Sequence, residues 1–115
     1  MKLPRGEDAI IPDGKIEDYC LNPNHPVGGP KARVLSAALG IDVQDADRLR
    51  VALRLAARTD DAVFLFSDSF GARYRVDFRF RNGAMERTLR SGWTIREPDG
   101  PPYLTTTFVL PSSHG

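Results

Sequence analysis

Residues 73–83 read RYRVDFRFRNG. Apolar and polar positions alternate through the first nine, with Tyr74, Val76, Phe78 and Phe80 on one side and Arg73, Arg75, Asp77, Arg79 and Arg81 on the other. Successive side chains of a strand point to opposite faces, so this period of two predicts an antiparallel strand with one face in a core and one in water. Asn82-Gly83 then supplies residues that tolerate the positive φ of a tight hairpin turn. The rest of the chain can be read outward from this hairpin.

Downstream, a strand from about Ala84 to Arg90 leads through Ser91-Gly92 into Trp93 to Arg96. Pro98-Asp99-Gly100-Pro101-Pro102 turns the chain into a last strand, Tyr103 to Leu110, and residues 111–115 are expected to fray. Upstream, Ala62 to Phe66 is a compact apolar run of strand type. Before Thr59-Asp60-Asp61 the apolar spacing changes to three and four, which predicts helices. The first runs from about Gly14 to Leu21, capped by Asp13, with Ile16, Tyr19 and Cys20 on one face. The second runs from Pro30 to Leu39, burying Val34, Leu35 and Ala38 and stopping at Gly40. The third is capped by Asp45 or Asp47 and ends near Arg58, with Leu49, Ala52, Leu53 and Ala56 inward. Its Arg48, Arg50, Arg54 and Arg58 are expected to form a solvated face. Residues 1–12 form an extended lead-in. The fold class expected is α+β: two or three N-terminal helices packed on one face of a four- or five-stranded antiparallel sheet, in a single domain over residues 1–115.

Composition narrows the chemistry. One cysteine, Cys20, allows neither an internal disulfide nor a cysteine-only zinc cage, and its place on the apolar face makes it a core residue. There are two histidines, His25 and His114, and no carboxylate pair at ligand spacing, so no metal site and no cofactor is expected. No apolar run reaches the roughly 20 residues of a membrane span. The start, MKLPRGEDAIIP, lacks the long apolar stretch of a signal peptide. Residues 1–61 carry nine Lys/Arg against ten Asp/Glu, whereas residues 62–115 carry seven arginines, no lysine and five acids. Arginine alone on strands fits bidentate recognition of phosphate.

The densest chemical clue is Asn22 to Ala32, NPNHPVGGPKA. Three prolines and Gly28-Gly29 forbid regular structure, so these residues form a shaped loop that ends at the start of a helix. It brings His25 and Lys31 beside a helix N-terminus, where anions are favoured. Together with Ser91, Thr94, Thr105, Thr106 and Thr107, these residues supply what metal-free RNA cleavage requires. A base takes the ribose 2′-OH proton, an acid protonates the leaving 5′ oxygen, and cations stabilise the charged phosphorane. His25 can act as acid or base, or can hold its own loop through the ring nitrogens. Lys31 can hold phosphate or merely face solvent. The hydroxyls can orient substrate or serve packing, since threonine is common in strands.

The stretches Leu21 to Ala32 (LNPNHPVGGPKA), Arg90-Ser91-Gly92-Trp93 and Pro102-Tyr103-Leu104-Thr105-Thr106 resemble an uncharacterised bacterial domain family. Its signature is LLNP-x-HP-x-GG-x-KA, with a late R-T-x-W strand and a closing P-x-L-x-T strand. That family is similar to ribonuclease toxins of the barnase, EndoU and RelE type. The resemblance places the family's hydroxyl before the tryptophan on Ser91, its preceding arginine on Arg90 and its closing threonine on Thr106. Gly92 stands where the family has a branched residue, which invites a bulge. In unbroken strands Ser91 and Thr106 would fall on the buried faces, so either a bulge re-aims them or they are structural.

The function expected is a metal-independent endoribonuclease of toxin type, with His25, Lys31, Arg90, Ser91 and Thr106 as catalytic residues. Arg73, Arg75, Arg79 and Arg81, about 6.6 Å apart between alternate residues, would track the RNA backbone. Its partners would be an RNA substrate and a cognate antitoxin or immunity protein. Its place of action would be the cytoplasm, reached by a larger secretion system where delivery is needed. The alternative is a non-catalytic module that binds RNA or protein through the arginine-rich sheet face.

Overall fold

A computed structural model describes residues 1–111; the expected frayed tail from residue 112 onward, with His114, lies outside the described residues. Four strands form one antiparallel meander: β1 (Ala62–Asp68), β2 (Gly71–Asn82), β3 (Met85–Ile95) and β4 (Pro102–Val109), in spatial order β1-β2-β3-β4. Two α-helices precede them, α1 (Gly29–Leu39) and α2 (Ala46–Thr59). The lead-in joins the sheet at its far edge, where the Ile10 N–H donates to Pro102 O and Ile10 O accepts from Leu104 N–H. No helix among the described residues is long and apolar enough to cross a membrane.

The first helix differs from expectation. It is a six-residue π-helical segment, Lys15–Cys20, entered through Gly14 in the left-handed conformation, and Asp13 does not cap it. The wider winding lets the Leu21 N–H reach Ile16 O while Ile16 and Cys20 both turn into the core. In α1 the buried stripe is Ala32, Leu35 and Leu39, spaced three and four apart, and Val34 lies about half exposed. Leu35 faces inward, so its neighbour lies about 100° around the helix. The helix begins at Gly29, one residue before Pro30, and ends at Gly40.

Neither Asp45 nor Asp47 caps α2 with its side chain; the capping box lies one turn earlier. There the Asp42 carboxylate accepts from Gln44 N–H and the Asp45 carboxylate accepts from Asp42 N–H, in a 3-10 turn that runs into the helix. The arginines of α2 are also more than a solvated face. Arg50 binds Glu17 through both carboxylate oxygens at 2.9 and 2.8 Å, and Arg54 donates to Ala9 O. They fasten the N-terminal segments onto α2.

The helices pack against one sheet face, α1 over β3 and β4 and α2 over β2. Val76, Phe78, Phe80, Leu89, Trp93, Leu104 and Val109 meet Leu35, Leu39, Leu49 and Leu53 in a single core. Neither helix packs mainly on β1, and its Phe64 and Phe66 stay about half exposed. The β2–β3 hairpin pairs Asn82 with Met85, so Gly83 and Ala84 form the turn. Asn82 uses its amide to reach Leu39 O at the end of α1, tying hairpin to helix.

Candidate functional site

The sheet face away from the helices gathers most of the candidate residues. Register places Arg73, Arg75, Asp77, Arg79 and Arg81 of β2 on this face, opposite Thr94, Gly92, Arg90, Thr88 and Glu86 of β3. On β4, Phe108 pairs with Arg90 and Thr106 pairs with Gly92, so both share it. Leu104 pairs with Trp93 on the helix side, which leaves Thr105 as one extra residue in β4. This bulge reverses the parity of everything after Leu104 and turns Thr106 and Phe108 outward. The extra residue sits on β4, and Gly92 makes room for it. A Cβ on Gly92 would meet Thr105 Oγ1 at 2.8 Å and Thr106 Cγ2 at 3.3 Å.

Around this bulge lies a cavity of about 220 Å³, lined by Arg73, Arg75, Arg90, Thr105, Thr106 and Phe108 among others. Arg73 and Thr105 also line a second cavity of about 560 Å³ toward the β1–β2 turn, so the two form one groove. Four polar atoms on this face are buried without a hydrogen-bond partner: Arg73 Nε, Arg75 Nε, Thr94 Oγ1 and Thr106 Oγ1. Leaving such a group unsatisfied costs about 1–3 kcal/mol, so a groove floor holding four of them is suited to a polar ligand.

The charges along the groove are not equivalent. Arg90 makes a bidentate pair with Asp77 at 2.8 and 2.9 Å, and that carboxylate raises the guanidinium pKa above its ordinary value against the effect of desolvation. Arg73 lies 3.3 Å from Asp68. Arg79 is drawn toward the hairpin end by Thr88 and Glu86, where Arg81 also lies. Arg75 has no carboxylate partner among the described residues. The Lys31 ammonium lies 4.7 Å over the ring of Phe108, a residue that lines the smaller cavity.

The other two residues of the expected catalytic set lie elsewhere. Ser91 is fully buried on the helix side, where its hydroxyl donates to Val76 O and accepts from Trp93 Nε1–H. His25 Nδ1 accepts from the N–H groups of Val27 and Gly28 at 3.0 and 2.9 Å, while the ring stands edge-on to Tyr19. Its ring thereby shapes the loop that delivers α1 and Lys31. Cys20 is buried, and desolvation pushes its thiol up to about 11, as for an inert core side chain. Among the described residues no three His, Cys, Asp or Glu side chains are grouped to hold a metal ion. Thr94, one of the hydroxyl series, lines the larger cavity, and so does the stacked pair Arg96–Tyr103, to which sequence reading gave no part. The signal was present in the register of Thr94, which shares a face with Arg90.

The family described as "Domain of unknown function (DUF6883)" matches residues 2–111. No curated protein matches the chain in sequence. Among solved structures, the fold is similar to a chain from "Contact-dependent growth inhibition toxin - immunity protein complex from Klebsiella pneumoniae 342". The TM-score is 0.67 at 14% identity, over 93% of this chain and 97% of that one.

Proposed function

The chain belongs to the DUF6883 family, and from that premise we propose that it is a metal-independent endoribonuclease of toxin type, with the groove on the open sheet face as its active site. The observation that carries the proposal is the convergence of Arg73, Arg75, Arg90 and Thr106 on one cavity, with two guanidinium Nε atoms and a hydroxyl left without partners. Phosphate oxygens would satisfy them. The ribose 2′-OH would attack the phosphorus and lose its proton to solvent water, while Arg75 and Arg90 would neutralise the charge that builds on the phosphorane. Thr106 would donate to a phosphate oxygen and orient it. Lys31, held over the Phe108 ring, would protonate the leaving 5′ oxygen as its bond to phosphorus breaks. His25 would act through its loop as a positioning residue for Lys31, and Ser91 would hold Trp93 beneath the site. Arg79 and Arg81 would contact the backbone farther along the strand.

The similarity in fold to a chain of a toxin–immunity protein complex supports the toxin assignment. A protein inhibitor would then be the partner, and an acidic surface laid over the groove would silence it. With RNA as substrate, the action would lie in the cytoplasm, after delivery by a secretion system. A non-catalytic RNA-binding module is the second reading. It is favoured by the lining of the smaller cavity, which contains no imidazole and no carboxylate among the described residues.

One assay separates the two. Purified protein is incubated with total RNA in excess EDTA, beside an Arg75→Gln variant. Cleavage by the wild type that falls at least 100-fold in the variant is the expected result. Binding without cleavage would select the non-catalytic module, and cleavage lost on chelation would remove the metal-independent mechanism.

A further inference from the structure

The larger cavity, about 560 Å³, lies between the β1–β2 turn and the start of β4. That volume falls within the range of small-ligand sites. Its walls carry three cations from three separate parts of the chain, Lys15, Arg73 and Arg96, and two aromatic rings, Phe70 and Tyr103. The Arg96 guanidinium lies 3.9 Å over Tyr103, and that of Arg73 lies 5.9 Å from the Phe70 centroid. Phe70 is 70% exposed at the tip of its turn, so its ring is open to a stacking partner. Thr94, which lines the cavity, is only 5% exposed, and its buried hydroxyl oxygen has no hydrogen-bond partner. Glu97 is the single carboxylate among the lining residues.

We propose that this cavity is a subsite for one unpaired RNA nucleotide, adjacent to the phosphate held in the smaller cavity. Cations would hold its phosphate, and Thr94 would donate to a phosphate or sugar oxygen. Its base would lie against Phe70, because a free π-face stacks on an exposed ring whatever the base. Glu97 accepts hydrogen bonds only, so it faces the amino groups of a base and disfavours a bare polyanion. A paired base cannot present its face in this way, so the substrate would be single-stranded at this position. The occupant's identity rests on the ribonuclease reading; the shape and donor set of the cavity do not.

The test uses a single-stranded 2′-O-methyl RNA tetranucleotide, which cannot be cleaved because its 2′ oxygens are blocked. Calorimetry with the full chain should show binding that weakens at least fivefold in Arg96→Gln and in Phe70→Ser. Arg58→Gln, on the exposed side of α2, should bind as the wild type does. Amide shifts in the wild type alone guard against misfolded variants: Phe70, Thr94 and Arg96 should move as the tetranucleotide is added. If these occur in a protein that cleaves no RNA, the subsite stands and the nuclease reading falls. If RNA is cleaved but the tetranucleotide shifts other residues, or binds the two variants as tightly as the wild type, the subsite is overturned while the nuclease reading stands.

Discussion

Four hydroxyls on β3 and β4 sit in pairs on opposite faces of the same sheet. On the helix side, Ser91 donates to Val76 O and accepts from Trp93, and Thr107 donates to Arg90 O. On the open side, Thr94 and Thr106 are shielded from solvent at their oxygens and bond to nothing among the described residues. The residue types are nearly the same, and so is the strand geometry. The difference is that folding pairs the hydroxyls of one face and leaves those of the other unpaired, where the proposed substrate would meet them. Removing a hydroxyl should therefore cost stability on the first face and function on the second.

The largest effect should come from the open face. Arg75→Gln is expected to reduce RNA cleavage at least 100-fold, about 2.7 kcal/mol of transition-state stabilisation, while urea unfolding shows stability within about 0.5 kcal/mol of the wild type. A loss of stability matching the loss of activity would place Arg75 in the fold instead. On the helix side, Ser91→Ala strips Trp93 Nε1 of its acceptor in the core. Denaturation should report about 1–3 kcal/mol lost.

Between the faces lies the bulge. Gly92→Ala brings a methyl against Thr105 Oγ1, the end of a side chain able to rotate away. The expected cost is about 1 kcal/mol, roughly that of an off-rotamer side chain, and Thr105→Ala should recover most of it. Additive losses in the double variant would show that the two do not touch.

An effect absent at neutral pH concerns Cys20. Its folded thiol titrates near 11, above the ordinary value of about 8.5. An unfolded chain therefore releases this proton first as pH rises. The contribution to stability is fully present below the unfolded pKa and declines through the window up to the folded one. Cys20→Val should flatten that alkaline decline; an unchanged slope would assign it to other groups.

Much of the fold was legible because it rests on periodicity. The alternation from Arg73 to Arg81 fixed the faces of β2, and the spacing of Leu49, Leu53 and Ala56 oriented α2. The candidate site was legible only in part, because its geometry depends on a single extra residue. Parity in an unbroken β4 would bury Thr106, and no composition cue marks Thr105 as the bulged position. Sequence alone left His25 open between acid–base chemistry and holding its own loop. Proline and glycine announced a shaped loop, but which atoms shape it is settled in three dimensions, where its Nδ1 meets two N–H groups. Pairings such as Arg50 with Glu17 link residues 33 positions apart, beyond any local pattern. The apolar run of β1 reads as core, yet it lies at a sheet edge that the two helices leave largely uncovered.

The contrast between the faces reduces to one side chain, Thr106. Thr106→Val replaces an unpartnered hydroxyl by a methyl of the same shape, and unfolding and RNA cleavage should be measured on the same preparation. The prediction is a protein at least as stable as the wild type, whose cleavage rate falls tenfold or more. A variant that loses stability as Ser91→Ala does, or that cleaves RNA at the wild-type rate, would contradict it.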